Sequence, residues 1–188
     1  MTKERGKQPV QRPQKTEISR ANRMARLLWS IIWIMLFRPT PRPLHGWRCF
    51  LLRCFGATVG KNVRVYQSTR IWAPWNLTLA DNSCLGDWVD CYNVAPISLE
   101  HGAIVSQYTF LCTASHDTRY RALPLIAAPI TIKADAWVTA DVFIAPGITI
   151  GCRAIVKARS VVMDDVAEDT VVGGHPARYH CVRKMASI

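Results

Sequence analysis

The chain has 188 residues, 49% of them hydrophobic, and a formal net charge of +11. This length suits one compact domain with an appendage. Residues 1–53 hold 12 Lys or Arg and 2 Asp or Glu, whereas residues 54–188 hold 12 and 11. The excess charge therefore belongs to an N-terminal arm, which could attract phosphates or anionic lipid head groups. We expect no nucleic-acid partner for the nearly neutral remainder.

The N-terminal arm predicts a tail followed by two short helices. Residues 1–22 are rich in Lys, Arg, Gln and Pro, which predicts a disordered basic tail. An apolar stretch predicts a helix over residues 23–37, ended by Pro39, Pro41 and Pro43. A second helix is expected over residues 44–55, ended by Gly56. Together, residues 23–57 are expected to cap the open end of the fold that follows.

The apolar stretch of the first predicted helix is too short to span a membrane but could lie on its surface. It is 14 residues long, from Met24 to Phe37, and a spanning helix needs about 20. No secretory signal peptide of the usual form precedes or contains it. Trp29 and Trp33 with their flanking arginines would suit a membrane surface as well as a packed cap. We therefore expect a cytoplasmic protein, with peripheral contact at the inner membrane through residues 20–55 as the alternative to simple packing.

Residues 58–167 keep a six-residue repeat. Eighteen positions follow it, and all are aliphatic except one cysteine. They are Val59, Val65, Ile71, Leu77, Leu79, Leu85, Cys91, Ile97, Leu99, Val105, Leu111, Ile130, Ile132, Val138, Ile144, Ile150, Val156 and Val162. A period of six is typical of a triangular β-helix with one repeat on each side. The pattern predicts an all-β solenoid of stacked coils beginning at residues 59, 79, 99, 132 and 150, followed by a C-terminal tail over residues 168–188.

The seven cysteines show neither a CxxC pair nor a Cys/His metal spacing. Four of them lie within the repeats, where small residues are favoured: Cys84, Cys91, Cys112 and Cys152. We expect reduced thiols and no bound metal, with disulfide pairing as the less favoured alternative.

The repeat is interrupted once, after Leu111. The next inward residue is due at position 117, but the ladder resumes only at Ile130, which predicts a loop over residues 117–129 inserted at one corner. His116 and Asp117 stand at the start of this loop. A histidine can accept and return a proton near neutral pH, so His116 is the candidate general base. A histidine with no role beyond the surface of the loop is the alternative.

The sequence CTASHD before the loop, AWVT after it and GGHPAR near the end resemble the hexapeptide-repeat O-acetyltransferases. The segment LFRPTPRPLHGWRCFLLRCFGATVG narrows the resemblance to the colanic acid biosynthesis acetyltransferase subfamily. The resemblance covers about residues 23–180. It implies a left-handed parallel β-helix, a homotrimer with sites between adjacent subunits, acetyl-CoA as co-substrate and a sugar or glycan acceptor.

The same resemblance implies roles for individual residues. His116 would take the proton from the acceptor hydroxyl, and Asn93 would bind the acceptor. Asp117 would either hold and orient His116 or bind sugar hydroxyls. Thr139, Ala140 and Ala158 would line the path of the pantetheine arm, and a backbone N–H near Thr139-Ala140 would stabilise the oxyanion. Arg178 would contact the phosphates of CoA.

The chain departs from the family pattern at Met163-Asp164-Asp165, which puts a phosphate contact there in doubt. Alternative activities are acetyl transfer to an amino sugar or amino acid, and a non-catalytic trimeric scaffold. A zinc-dependent carbonic anhydrase on this scaffold needs three histidine ligands, and the middle coils hold two, His101 and His116.

Overall fold

The structure, a computed structural model, describes residues 14–16 and 18–184. Two helices open the chain: α1 (Arg20–Ile32), which runs on into a π-helical turn (Trp33–Phe37), and α2 (His45–Cys54). The Ser19 hydroxyl accepts a bond from the Asn22 N–H at 3.1 Å and so caps α1. The helices agree with the prediction, except that α1 begins inside the segment predicted as a tail.

Twenty short strands make up nearly all of the remaining regular structure. Outside the solenoid lies β1 (Gln14–Lys15). The first three coils contain β2 (Thr58–Val59), β3 (Arg64–Val65), β4 (Arg70–Ile71), β5 (Leu77–Leu79), β6 (Cys84–Leu85), β7 (Asp90–Tyr92), β8 (Ile97–Leu99), β9 (Ile104–Val105) and β10 (Phe110–Cys112). The inserted loop contains β11 (Ala114–His116) and β12 (Leu125–Ala127). The later coils contain β13 (Ile130–Ile132), β14 (Trp137–Val138), β15 (Phe143–Ile144), β16 (Thr149–Ile150), β17 (Ile155–Val156) and β18 (Val161–Val162), followed by β19 (Thr170–Gly174) and β20 (Ala177–Val182). A single 3₁₀ turn (Pro74–Asn76) precedes β5.

Three parallel sheets form the sides of the solenoid, and their register follows the six-residue repeat. The pairs Val59 with Leu79, Leu79 with Leu99, Leu99 with Ile132 and Ile132 with Ile150 confirm the predicted stacking. Seventeen of the eighteen repeat positions have at most 3% of their surface exposed, and Val59 is partly buried. One continuous aliphatic ladder thus fills the interior, which stabilises strands that are too short to be stable alone.

The first coil has an open edge made of carbonyl groups. Many N–H groups of one coil donate to carbonyls of the next, as from Gly60 to Leu79 and from Tyr66 to Leu85, while others donate back, as from Asn82 to Lys61. The carbonyls of the first coil therefore have no preceding coil to pair with. Unpaired backbone acceptors at a buried edge are costly. Hydrogen-bond donors must come from elsewhere in the chain.

The N-terminal helices supply these donors on all three sides. The indole N–H groups of Trp29 and Trp33 donate to the carbonyls of Ile71 (2.7 Å) and Thr69 (2.9 Å). The Arg53 guanidinium contacts the carbonyls of Val59 and Gly60, both at 2.9 Å. Side chains of α1, the π-helical turn and α2, including Trp29, Phe37, Cys49, Leu51 and Leu52, extend the solenoid core. The predicted cap is present.

Arg48 is the centre of this cap. Its side chain is fully buried, yet no carboxylate contacts it among the described residues. Its guanidinium instead donates to the carbonyls of Val65 (2.6 Å), Pro41 (2.9 Å) and Arg42 (2.5 Å) and to the Thr40 hydroxyl (2.7 Å). Burial lowers the pKa of Arg48. This one side chain ties the proline-rich linker to the edge of the first coil.

The structure corrects the predicted ends of the chain. Residues 168–182 are not a tail: β19 pairs in parallel with β17, and β20 folds back on β19 as an antiparallel partner. At the other end, β1 pairs with β12 of the inserted loop, so residues 14–15 are not an unstructured tail either. Residues 1–13, 17 and 185–188, which belong to the predicted tails, lie outside the described residues.

Two chain-wide expectations can be compared with the described residues. All seven cysteines are free thiols, as expected. Within residues 14–16 and 18–184, no helix is long and apolar enough to cross a bilayer.

Replacing Arg48 by Met should lower the free energy of unfolding by about 3 kcal/mol, because several buried carbonyls lose their donor and each costs about 1–3 kcal/mol. Urea denaturation at a fixed protein concentration measures this change. Arg23→Met removes an exposed arginine of α1 and should change stability by less than about 0.5 kcal/mol. An unchanged midpoint for Arg48→Met would show that the edge carbonyls do not need it.

Candidate active site

The inserted loop folds as an antiparallel hairpin on one corner of the solenoid. In it, β11 pairs with β12, with Ser115 opposite Ile126 and His116 opposite Leu125. The Ala128 N–H donates to the Thr113 carbonyl at 2.9 Å and closes the base of the hairpin. The irregular part of the predicted loop is thus limited to residues 117–124, and His116 is held at the end of a strand.

The His116 ring is exposed and is oriented by the hairpin itself. Its Nδ1 atom lies 2.6 Å from the carbonyl oxygen of Leu123. A carbonyl can only accept a hydrogen bond, so Nδ1 carries the proton in the neutral ring. Nε2 is then the unprotonated nitrogen, and its lone pair is available to a ligand. This is the tautomer that a general base needs.

Leu123 reaches His116 because the loop is tightly turned. Its backbone has a φ of 44°, in the left-handed region, which is rare for a leucine. Its N–H donates to the Tyr120 carbonyl at 2.9 Å, and the Asp117 N–H donates to the Pro124 carbonyl at 3.0 Å. These bonds aim the Leu123 carbonyl at the imidazole.

The Asp117 side chain makes no bond to His116 within the described residues, so it does not orient the imidazole, and its alternative role of binding sugar hydroxyls stays a prediction. Its carboxylate instead accepts from the Arg119 side chain at 2.9 and 2.6 Å and from the Arg119 N–H at 3.1 Å. These hydrogen bonds from Arg119 lower the pKa of Asp117. Asp117 therefore stays ionised at neutral pH and shapes the turn that carries the Leu123 carbonyl.

The outer edge of the hairpin is covered by the N-terminal strand β1. Gln14 lies opposite Ala127 and Lys15 opposite Ile126, and the Thr16 N–H donates to the Leu125 carbonyl at 3.0 Å. The hairpin thus supplies two strands of a three-stranded sheet, β1-β12-β11, in which β12 is the middle strand. The segment before α1 therefore supports β11, the strand that carries His116, through the intervening strand β12.

A small apolar cluster anchors the hairpin to the solenoid. Val94, Ala114 and Ala127 are buried together. Partly buried side chains pack around them, namely Trp72, Tyr92, Ala95 and Leu125. The Trp72 and Tyr92 rings meet edge to face at 5.7 Å between centroids. The base of the hairpin is therefore fixed by packing as well as by its ladder.

Asn93 was predicted to bind the acceptor, and the structure assigns its side chain another task. Asn93 is fully buried. Its amide accepts from the Ala73 N–H at 2.9 Å and donates to the Ala73 carbonyl at 2.6 Å. Both amide atoms are satisfied by the coil below, so this side chain holds two coils together and does not face a ligand.

The predicted cofactor residues lie at a different corner, where coils turn between the β14 and β15 sides. The register of β14 with β17 stacks Ala140 next to Ala158 in the following coil. The Thr139 N–H and hydroxyl both bond the Val156 carbonyl, at 3.0 and 2.7 Å. Among the bonds of the described residues, none uses the Ala140 N–H. Of the two candidate oxyanion donors, Ala140 is thus the one with a spare hydrogen.

Arg178 lies on β20, largely exposed. Its guanidinium is 3.6 Å from the Asp164 carboxylate. Asp164 belongs to the segment in which the chain departs from the family pattern. A phosphate contact at Arg178 would have to displace this weak exposed pair, which costs little.

Within a single chain, the predicted catalytic residues and the predicted cofactor-binding residues do not lie together. His116 and Asp117 occupy the corner after β10, whereas Thr139, Ala140 and Ala158 occupy the corner before β15. No hydrogen bond joins His116 to any of them within the described part of the chain. Each corner carries a part of the predicted site.

The thiols near the hairpin are poor nucleophiles. Burial raises the pKa of Cys112 and of Cys91. In the described residues, no group of three or more His, Cys, Asp or Glu side chains could hold a metal ion.

Two supporting features were missed in the sequence. The Leu123 carbonyl is a backbone group, so no side-chain pattern points to it. The pairing of β1 with the hairpin joins segments more than 100 residues apart, and the polar composition of residues 14–16 carried no signal for a strand.

Comparison with known proteins gives a consistent result. No family model matches the chain. The Escherichia coli protein "Putative colanic acid biosynthesis acetyltransferase WcaF" is 41% identical over 150 residues, which is 80% of this chain and 82% of that protein. Among solved structures, a Vibrio cholerae hexapeptide-repeat acetyltransferase in complex with acetyl-CoA has a TM-score of 0.79 and 27% identity, covering 89% of this chain and 91% of that one. A maltose O-acetyltransferase from Clostridium difficile has a TM-score of 0.80 and 25% identity over 89% and 90%.

These likenesses extend over most of each chain and agree with the six-residue repeat. The predicted fold class, a left-handed parallel β-helix with short N-terminal helices and an inserted loop, is confirmed. The chain is an acyltransferase, and it belongs to the hexapeptide-repeat family of the colanic acid biosynthesis acetyltransferases.

Proposed function

We propose that the protein transfers the acetyl group of acetyl-CoA to a sugar hydroxyl in exopolysaccharide biosynthesis, with His116 as general base. The observation that carries this proposal is the bond from His116 Nδ1 to the Leu123 carbonyl, which leaves Nε2 free. The name of the E. coli relative supports the pathway, and the complex of the V. cholerae protein supports the donor.

The reaction needs one proton to move twice. His116 Nε2 takes the proton of the acceptor hydroxyl while the oxygen attacks the thioester carbonyl. The resulting tetrahedral oxyanion collapses, the C–S bond breaks, and the imidazolium returns the proton to the CoA thiolate. A hydroxyl is a poor nucleophile at neutral pH, and such proton transfer contributes about 10²–10⁴-fold.

The remaining parts of the site fit this direct transfer. Within the described residues the Ala140 N–H has no acceptor, so it can stabilise the oxyanion. The stacked Ala140 and Ala158 leave a narrow strip of small residues for the pantetheine arm. Arg178 is exposed and can approach the phosphates of CoA.

We further propose that the chain is a homotrimer whose sites lie between adjacent subunits. The reason is geometric: the His116 corner and the Ala140 corner are different corners of one triangular cross-section. Neighbouring subunits packed side by side can place one chain's His116 corner against the Ala140 corner of the next. The proposal includes a cytoplasmic location with peripheral membrane contact through residues 20–55.

Replacing His116 by Ala should lower kcat for acetyl transfer by about 10²–10⁴-fold, because the general base is removed. The side chain is exposed, so the melting temperature should change by less than about 2 °C. Release of free CoA from acetyl-CoA, with a panel of sugar nucleotides as acceptors, measures the rate. Wild-type turnover in His116→Ala would rule out the mechanism.

Asp117→Asn should lower kcat by less than about tenfold, because an exposed ion pair such as that with Arg119 contributes little and His116 keeps its bond to Leu123. The same CoA-release assay applies. A loss as large as that of His116→Ala would mean that Asp117 acts directly on the imidazole.

Thr16→Pro removes the N–H that donates to the Leu125 carbonyl and should lower kcat by about threefold to tenfold, in proportion to one hydrogen bond. Thr16→Ala keeps this N–H and loses only the hydroxyl contact to the Gln14 carbonyl, so it is the matched control and should stay within about twofold. Equal rates for the two variants would show that β1 does not support the hairpin.

A further inference from the structure

The outer side of α1 is an apolar surface that the rest of the described chain leaves exposed. Its inner side packs on the first coil through Trp29 and Trp33. Six apolar residues at helical spacing form the opposite side, and between 47% and 66% of each is exposed. They are Met24, Leu27, Leu28, Ile31, Ile34 and Met35, and we call them the outer stripe. A soluble helix normally places polar residues on this side.

The surface continues from the outer stripe onto α2. Leu36, Trp47 and Phe50 are 42%, 41% and 52% exposed. The Trp47 indole donates to the Leu36 carbonyl at 2.9 Å, and its ring lies 5.6 Å from that of Phe50. Contiguous apolar surface of this kind marks a docking surface and is rare where nothing binds.

The charge around this surface has one sign. Residues 18–57 contain seven arginines and neither Asp nor Glu. Arg48 and Arg53 serve the carbonyl edge, and Arg42 forms an ion pair with Asp87. The side chains of Arg20, Arg23 and Arg38 make no hydrogen bond or ion pair with the described residues, although the Arg38 guanidinium lies over the Trp33 and Trp88 rings, 5.3 and 5.8 Å from their centroids. They flank the outer stripe along the chain and remain available to anions.

We propose that the outer stripe and the Leu36, Trp47 and Phe50 surface dock on an anionic lipid bilayer, with α1 lying in the plane of the interface. Apolar side chains enter the head-group boundary while flanking arginines contact lipid phosphates. A second copy of the chain is a poorer occupant, because the same face would bring like-charged arginines together. The proposed membrane contact of residues 20–55 thereby gains a specific face of the protein and a specific class of lipid.

The docked helix would lie beside the candidate site. Arg26 of α1 stacks on the Trp72 ring, with its guanidinium carbon 4.0 Å from the ring centroid. Trp72 in turn packs on the cluster that contains Ala114, two residues before His116. The hairpin would therefore face acceptors at the membrane surface, which points to a lipid-linked glycan. This last step rests on the proposed function, whereas the docking does not.

Sedimentation of the full-length protein with vesicles tests the docking. Pure phosphatidylcholine vesicles are compared with vesicles containing about one third phosphatidylglycerol. We expect much stronger binding to the anionic vesicles, since each basic residue near such a surface strengthens partitioning by roughly fivefold. Binding should weaken as salt is raised. Failure to bind anionic vesicles would overturn the proposal.

A matched pair of variants locates the surface. Leu28→Glu/Ile31→Glu places two charges on the outer stripe and should weaken vesicle binding by at least about tenfold. Tyr108→Glu/Val182→Glu changes two residues of similar exposure, 60% and 58%, elsewhere on the molecule and should bind like wild type. Equal binding by both variants would overturn the assignment of the face.

Two further readouts separate the alternatives. If the outer-stripe variant changes the oligomeric state in light scattering, the face is an interface between chains and the lipid proposal is wrong. Acetyl transfer to a soluble acceptor should be unchanged in this variant. Vesicle binding without any acetyl transfer by the wild-type protein would refute the proposed function and leave the docking intact.

Discussion

The open carbonyl edge of the first coil is the constraint on which the rest of the structure depends. Carbonyls of each coil accept bonds from N–H groups of the coil before it, as Leu79 accepts from Gly60, so carbonyls of the first coil such as those of Val65 and Ile71 have no preceding coil to supply a donor. Side-chain N–H groups can satisfy such carbonyls. Trp29, Trp33, Arg48 and Arg53 do so, each with its N–H groups on main-chain carbonyls. The composition of the N-terminal arm follows in part from this need.

The same arrangement sets the position of the proposed membrane face and of the candidate site. Because α1 must present its tryptophans to the edge, its other side is turned outward and carries the outer stripe. Because Arg26 lies on Trp72, the cap is coupled to the coil that supports the hairpin. At this end of the solenoid, α1 therefore caps the first coil, presents the proposed membrane face and contacts the residues that support the hairpin.

The sequence predicted the solenoid well, because an inward residue every six positions determines both the side and the coil. Cys91, the single non-aliphatic member, is buried like its neighbours. The six-residue repeat also located His116, which lies where the repeat is interrupted. The repeat does not show whether the Asn93 side chain faces a ligand or the preceding coil, because the spacing of Asn93 in the sequence is the same in either case. The sequence predicts a tail over residues 168–188 because this segment lacks the six-residue repeat. Residues 170–182 instead form an antiparallel hairpin, which that repeat does not encode.

The central chemical claim concerns which nitrogen of His116 is free. The nitrogen-15 chemical shifts of the His116 ring, assigned by comparison with His116→Gln, measure this directly. Above the pH at which the ring loses its charge, a protonated Nδ1 and an unprotonated Nε2 are expected, because the Leu123 carbonyl accepts from Nδ1. A ring with its proton on Nε2 would contradict the assignment of His116 as the general base.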